Sequence, residues 1–169
     1  MKSLVIYFSH RGNTAFVSRA FYDALKKRGE AYLFELKYVG EKSLLVHLFY
    51  RFFPSRAQLA TVPTDLQDYD VLCLGIPVLG GYPSSAITKY VQMISSLSGK
   101  KVICCYVYGI EASADHCSRY MEKILSRAGK PTIIEAYVPW YDVLREHFMD
   151  NIIDKSLSQL TSGPTIFQV

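Results

Sequence analysis

The chain has 169 residues, half of them hydrophobic, so it is long enough to bury a core and too apolar to be disordered. Its formal net charge of +4 comes without clusters of lysine and arginine, which argues against a nucleic-acid surface.

Targeting and cysteine patterns point to a cytoplasmic protein. The chain passes from one lysine directly into an apolar run, so we expect no signal peptide. No apolar run reaches the roughly 18 residues that a membrane span needs. The four cysteines form no Cys-x-x-Cys pair, and three lie in apolar runs, so we predict buried thiols and neither a metal site nor a disulfide framework.

The first third of the chain predicts two strands and two helices. Residues 3–8 form a β-branched and aromatic run typical of a buried strand, and residues 31–36 predict a second strand. Between them, residues 14–28 have apolar side chains at helical spacing. Residues 42–53 predict a helix that is apolar on most of its circumference. Burial is the favoured interpretation of this helix, and an exposed apolar patch is the alternative.

The rest of the chain alternates strands with helices. We predict strands at residues 71–76, 101–108 and 132–138, and helices at residues 84–96, 113–128 and 144–160. The third strand is expected to end before Pro77, because proline cannot continue a central strand. Ser84 or Ser85 is expected to cap the first of these helices, and Ser113 or Asp115 the second.

Alternating strands and helices predict a doubly wound α/β fold, in which helices cover both faces of a five-stranded parallel sheet. The whole chain, residues 1–169, is expected to form a single domain. In the strand order 2-1-3-4-5, the loops after strands one, three and four meet at one crevice beyond the carboxyl ends of the strands. These loops are rich in glycine, proline, hydroxyl and aromatic residues.

The loop at residues 9–14 leaves a strand and enters a helix. Unpaired amides at a helix N-terminus attract anions. The loop adds two hydroxyls, an amide, a cation and a flexible turn residue, supplied by Ser9, Thr14, Asn13, Arg11 and Gly12. A phosphate site is one interpretation. The alternative is an ordinary turn capped by Asn13 or Thr14.

Three stretches of the chain resemble the flavodoxin family. Ser9, Gly12, Asn13 and Thr14 match the family's (S/T)-x-(T/S)-G-N-T phosphate loop. Residues 70–81 are similar to its DYDVIxxGxPVYGG stretch. Residues 99–102 and the glycine soon after strand four also fit. The resemblance implies a flavodoxin-like fold and flavin mononucleotide (FMN) as cofactor.

The resemblance also implies which residues bind FMN. The phosphate is expected at the first loop and the flavin ring between the loops after strands three and four. Gly80 and Gly81 would let the backbone approach the ring. The predicted cofactor-binding residues are Ser9, His10, Arg11, Gly12, Asn13, Thr14, Pro77, Val78, Leu79, Gly80, Gly81, Tyr82, Tyr108 and Gly109. The substitution Gly12→Val is expected to block binding on steric grounds.

Two residues differ from the family pattern. Arg11 replaces a usual hydroxyl residue, and we expect it to strengthen phosphate binding. Leu79 stands where an aromatic residue often stacks on the ring. Trp140 and Tyr141, which follow strand five, are interpreted either as a rim of the site or as loop anchors, with anchors favoured.

The resemblance implies a redox protein that transfers electrons to a protein partner or to a small acceptor such as a quinone. No residue stands out as a general base or nucleophile, which suits chemistry carried by a cofactor. The alternative is a flavin-free binding or scaffolding module. The predicted apolar helix, in particular residues 44–53, is a candidate surface for a homodimer.

Overall fold

A computed structural model describes residues 1–39 and 58–161 of the chain. The strands are β1 (Lys2–Tyr7), β2 (Glu30–Glu35), β3 (Val71–Leu79), β4 (Tyr82–Pro83), β5 (Lys101–Tyr108) and β6 (Thr132–Pro139). The described helices are α1 (Asn13–Lys26), α2 (Ser85–Met93), α3 (Glu111–Arg127) and α4 (Glu146–Thr161), with a 3₁₀-helix at Trp140–Asp142. The predicted helix at residues 42–53, and with it the candidate dimer surface, lies outside the described residues.

The sheet has the order β2-β1-β3-β5-β6, and each neighbouring pair in this order is parallel. These five strands are the five that the sequence predicts, in the predicted order, so the doubly wound fold is confirmed. The sixth strand, β4, was not predicted. It pairs antiparallel with the end of β3, through Val78 with Pro83 and Leu79 with Tyr82.

Helices cover both faces of the sheet, as predicted. Alternate residues of each strand face opposite sides, so each central strand contributes to two cores. One core joins the sheet to α2 and α3 and includes Leu4, Leu72, Leu74, Val102, Ile87, Tyr90, Met121 and Leu125. The other joins it to α1 and α4 and includes Val5, Cys73, Ile103, Cys105, Val17, Phe21, Ile153 and Leu157.

All four cysteines are buried free thiols, as the sequence predicts. The Cys73 and Cys105 sulfurs lie 3.7 Å apart in the core beneath α1 and α4. Burial raises the pKa of the Cys117 thiol to about 12 and raises that of Cys104 further. These thiols therefore behave as small apolar side chains at neutral pH.

The predicted end of the third strand is wrong. β3 continues through Pro77 to Leu79, and Pro77 pairs with Val107 of β5. The register with β1 ends at Gly75, so β3 has a neighbour on only one side at Pro77. A proline, which lacks an N–H, is tolerated at such an edge position.

Two of the three predicted helix caps are also wrong. Gly12, rather than Asn13 or Thr14, is the N-cap of α1, and Ile110, rather than Ser113 or Asp115, is that of α3. Ser113 already lies in the first turn of α3, where its hydroxyl donates to the Ile110 carbonyl over 2.6 Å. The predicted Ser84 cap of α2 is confirmed, because its hydroxyl accepts from the Ile87 amide.

Within the described ranges, none of the helices has both the length and the apolar content needed to cross a bilayer.

Candidate functional site

A cavity of about 600 Å³ lies at the carboxyl edge of the sheet, between the ends of β1, β3 and β5. Strand order reverses between β1 and β3, and such reversal points are where ligands bind in open α/β sheets. The volume falls within the range of roughly 300–1,000 Å³ that is usual for small-molecule sites. Its lining residues are Ser9, His10, Arg11, Asn13, Thr14, Pro77, Val78, Leu79, Val107, Tyr108, Gly109 and Trp140.

The first loop is shaped by Gly12, whose φ of 90° lies in the left-handed region. The Gly12 amide donates to the Ser9 hydroxyl over 3.1 Å, and its carbonyl accepts from the Phe16 amide over 2.9 Å. Gly12 has no side chain to cap α1, and the first turn holds no acidic residue. The amides at this helix N-terminus can therefore bind an anion.

The fixed charge at the cavity comes from Arg11. Arg11, which is exposed, and His10 both line it, whereas no Asp or Glu side chain is among its lining residues in the described part of the chain. A fixed positive charge at the helix N-terminus adds to the helix dipole. The electrostatics of the cavity therefore favour an anionic ligand.

The second wall of the cavity comes from the β3–β4 hairpin. Gly80 and Gly81 form its turn with φ values of 56° and 86°, a backbone conformation that glycine adopts readily. The turn leaves the Leu79 side chain 48% exposed at the cavity. This wall is apolar, and it faces the same cavity as the loop at residues 9–14, which we call the anion loop.

Tyr108, at the end of β5, contributes a phenol to the lining. Partial burial, followed by the negative charge of Glu111, raises the pKa of this phenol. The hydroxyl therefore stays protonated at neutral pH and can donate a hydrogen bond without bringing a charge into the cavity.

The structure brings ten of the fourteen predicted cofactor-binding residues to the cavity lining. The other four, Gly12, Gly80, Gly81 and Tyr82, are not among the lining residues. The three glycines shape the backbone of the two turns. The Tyr82 ring packs edge-on against His116 and Tyr120 of α3, with ring centroids 4.8 and 5.5 Å away.

Two lining residues were not predicted as cofactor-binding residues. Val107 directly precedes Tyr108, the last residue of predicted strand four and a predicted cofactor-binding residue. This position in the sequence was the signal that could have identified Val107 as a lining residue. Trp140 follows β6, and the favoured interpretation was a loop anchor. The structure places it at the cavity, in agreement with the alternative interpretation as part of a rim. Its position after a strand at the same sheet edge was the signal that could have identified it.

Comparisons with known proteins identify the fold. No protein-family model and no curated protein sequence matches the chain. A solved structure from Bacteroides eggerthii, named as a candidate flavoprotein, matches with a TM-score of 0.65 at 17% identity, covering 89% of this chain and 97% of that one. Oxidised flavodoxin 1 from Bacillus cereus matches with a TM-score of 0.60 at 12% identity, covering 95% and 97%.

An enzyme named as an NADH:FMN oxidoreductase, in its apo form, matches with a TM-score of 0.62 at 14% identity, covering 97% of this chain and 92% of that one. The matches span nearly the full length of both chains in each pair. The chain therefore has the flavodoxin-like fold.

Proposed function

We propose that this chain binds FMN in the carboxyl-edge cavity and transfers electrons. One observation carries the proposal: the same cavity of about 600 Å³ joins an uncapped, positively charged helix N-terminus to an apolar wall. FMN has the matching halves, a phosphate and a planar, largely apolar ring. The names of the flavodoxin and of the NADH:FMN oxidoreductase that share this fold support the same assignment.

The phosphate half fits the first loop. The Ser9 and Thr14 hydroxyls and the Asn13 amide line the cavity next to the free amides of α1. The exposed Arg11 guanidinium supplies a charge-assisted hydrogen bond to a phosphate oxygen. Together these groups offer donors and no competing negative charge.

The ring half fits the apolar part of the lining. Val78, Leu79 and Val107 offer aliphatic contacts, and Tyr108 offers an aromatic face with a protonated hydroxyl. Bound FMN supplies the redox chemistry by accepting and releasing electrons. The protein binds the cofactor, orients it and excludes water from one side of the ring.

We further propose that the chain acts as one domain in the cytoplasm. Its electron acceptor is either a protein partner or a small molecule such as a quinone. The exposed apolar side chain of Ile110, which directly follows the lining residue Gly109, offers a surface that either acceptor can contact.

An absorption spectrum tests the proposal. The purified protein is mixed with excess FMN, desalted, and then titrated with a reductant. We expect flavin bands that remain with the protein, shift relative to free FMN and bleach on reduction. Failure to retain FMN, with no shift of its bands, would contradict the proposal and favour the flavin-free binding module on the same fold.

A further inference from the structure

Trp140 is the only tryptophan of the chain and lies where β6 ends, as the first residue of the 3₁₀-helix. Its indole is 54% exposed and yet lines the cavity. Large aromatic side chains with this much exposure offer a free face to a ligand. The function proposed above, as derived from the anion loop and the apolar wall, leaves this residue unused.

The indole is seated on the backbone of Gly109. A Cβ at position 109 would lie 2.8 Å from Nε1 and 3.2 Å from Cδ1 of Trp140. Both distances are shorter than ordinary van der Waals contact, so a side chain at position 109 would make the indole shift from this place. This contact packs the loop after β5 against the loop after β6 at the cavity.

The turn that carries Trp140 is held from the other side as well. The Tyr141 ring contacts the indole edge-on, with centroids 5.9 Å apart. Asp142 is buried and pairs with Arg145 at 2.9 Å, and the Arg145 amide donates to the Asp142 carbonyl over 3.0 Å. The indole is therefore placed before a ligand arrives, which lowers the entropy cost of using it.

We propose that Trp140 forms an aromatic wall of the site and stacks on the planar ring of the bound ligand; this inference rests on the proposed binding of FMN. Leu79 of the β3–β4 hairpin provides an aliphatic contact only, and Tyr108 is partly buried at the end of its strand. Trp140 is the lining residue with the largest exposed aromatic face. Gly109 supports this role, because its lack of a side chain leaves room for the indole.

The first test compares FMN affinities of single variants. Trp140→Ala is expected to weaken FMN binding about tenfold, the loss of one aromatic stacking contact and its buried area. Trp140→Phe should retain most of the affinity. The matched control is Tyr32→Ala, which removes a ring with 41% exposure on β2 that is not among the lining residues, and it should change the affinity less than twofold.

A double-mutant cycle tests the placement of the indole. Gly109→Ala, whose added methyl group would displace the indole, should weaken FMN binding in the protein with Trp140. In the Trp140→Ala background the same methyl group meets no indole, so Gly109→Ala should weaken binding less than it does in the protein with Trp140. An equal loss in both backgrounds would show that the methyl group obstructs the ligand directly and would overturn the inference.

The spectrum of bound FMN supplies a readout that a merely structural role would not change. The visible bands should differ between the original protein and Trp140→Ala, and they should be unaltered in Tyr32→Ala. If the original protein binds no FMN, the proposed function fails. If it binds FMN and Trp140→Ala binds equally well with unaltered bands, the proposed function stands and the role of Trp140 is refuted.

Discussion

Individual residues of the first loop have distinct tasks. Thr14 is buried at the start of α1, whereas Arg11 is exposed at the cavity. Ser9 uses its hydroxyl to accept from the Gly12 amide, which closes the loop over 3.1 Å. The loop is thus pre-formed by its own hydrogen bonds, while its cation stays available for a ligand.

The role of Arg11 can be measured by removing its charge. Arg11→Ala should weaken FMN binding by about 1–3 kcal/mol, the range for losing a hydrogen bond to a charged group. Isothermal titration with FMN gives the change. Riboflavin, which lacks the phosphate, serves as the control ligand and should bind both proteins alike. Unchanged FMN affinity would mean that Arg11 does not contact the phosphate.

Gly12 is needed for its backbone conformation. A Cβ there would meet no protein atom within 4 Å, so it would not clash with the loop itself. Its φ of 90° is nevertheless strained for a β-branched residue. Gly12→Val should therefore destabilise the fold by about 1–3 kcal/mol and weaken FMN binding through a distorted loop.

Gly99 provides the matched control for Gly12. It also has a positive φ, 71°, and equally open space around its Cβ position, but it lies in the turn before β5 and is not among the cavity-lining residues. Gly99→Val should lower the free energy of unfolding similarly, as measured by urea denaturation, and leave FMN affinity unchanged. Similar losses of affinity in both variants would argue against a specific role for the Gly12 loop.

At the scale of elements, the distance between α1 and the sheet depends on Gly75 of β3. A Cβ at this position would lie 2.0 Å from the Ser18 hydroxyl oxygen, 2.7 Å from the Tyr7 Cβ and 3.2 Å from the Thr14 Cγ2. The sheet thus has no room for a methyl group beneath the first turns of α1. Because those turns carry the anion loop, the packing of α1 on β3 positions the site.

Gly75→Ala should push α1 outward. We expect a loss of about 1–3 kcal/mol in the free energy of unfolding, typical of an overpacked core, together with weaker FMN binding. Urea denaturation and FMN titration measure the two effects.

A second variant identifies the cause. The Ser18 hydroxyl is buried and has no hydrogen-bond partner among the described residues. Ser18→Ala alone should therefore cost little, and it should relieve part of the damage in the Gly75→Ala protein. No relief would mean that the clash of the added methyl group with the Tyr7 Cβ causes most of the destabilisation.

At the scale of the whole molecule, the buried thiols link stability to pH. Burial raises the pKa of Cys117 from its ordinary value of 9.0 to about 12. The unfolded chain loses this proton near pH 9, whereas the folded chain keeps it. The protonated Cys117 thiol therefore makes its full contribution to the free energy of unfolding below pH 9, and this contribution is lost as pH rises toward 12.

The fall in stability above pH 9 can be assigned to particular thiols. At pH 10, Cys117 alone should lower the free energy of unfolding by about 1.4 kcal/mol relative to pH 8. The buried Cys104 and Cys105 thiols, whose pKa values are also raised, should add to this loss. Urea denaturation across pH 8–10 measures the slope, and Cys117→Ala should make it shallower. An identical slope in that variant would contradict the assignment.

The sequence by itself determined the layout of this protein. Apolar runs and helical spacing located the five long strands and the flanking helices, because local periodicity reflects which face of an element is buried. Strand order then followed from the alternation of elements and the resemblance. The loop at residues 9–14 was identifiable because strand, loop and helix are contiguous in the chain.

Only the tertiary structure decided the details at the sheet edge. Pro77 continues its strand because β1 has already ended beside it, and Tyr82 packs on α3 instead of lining the cavity. Trp140 reaches the cavity because Gly109, 31 positions earlier, leaves space for its indole. Each outcome depends on contacts between distant residues. Local periodicity carries no information about such contacts, so the tertiary structure alone could place these side chains.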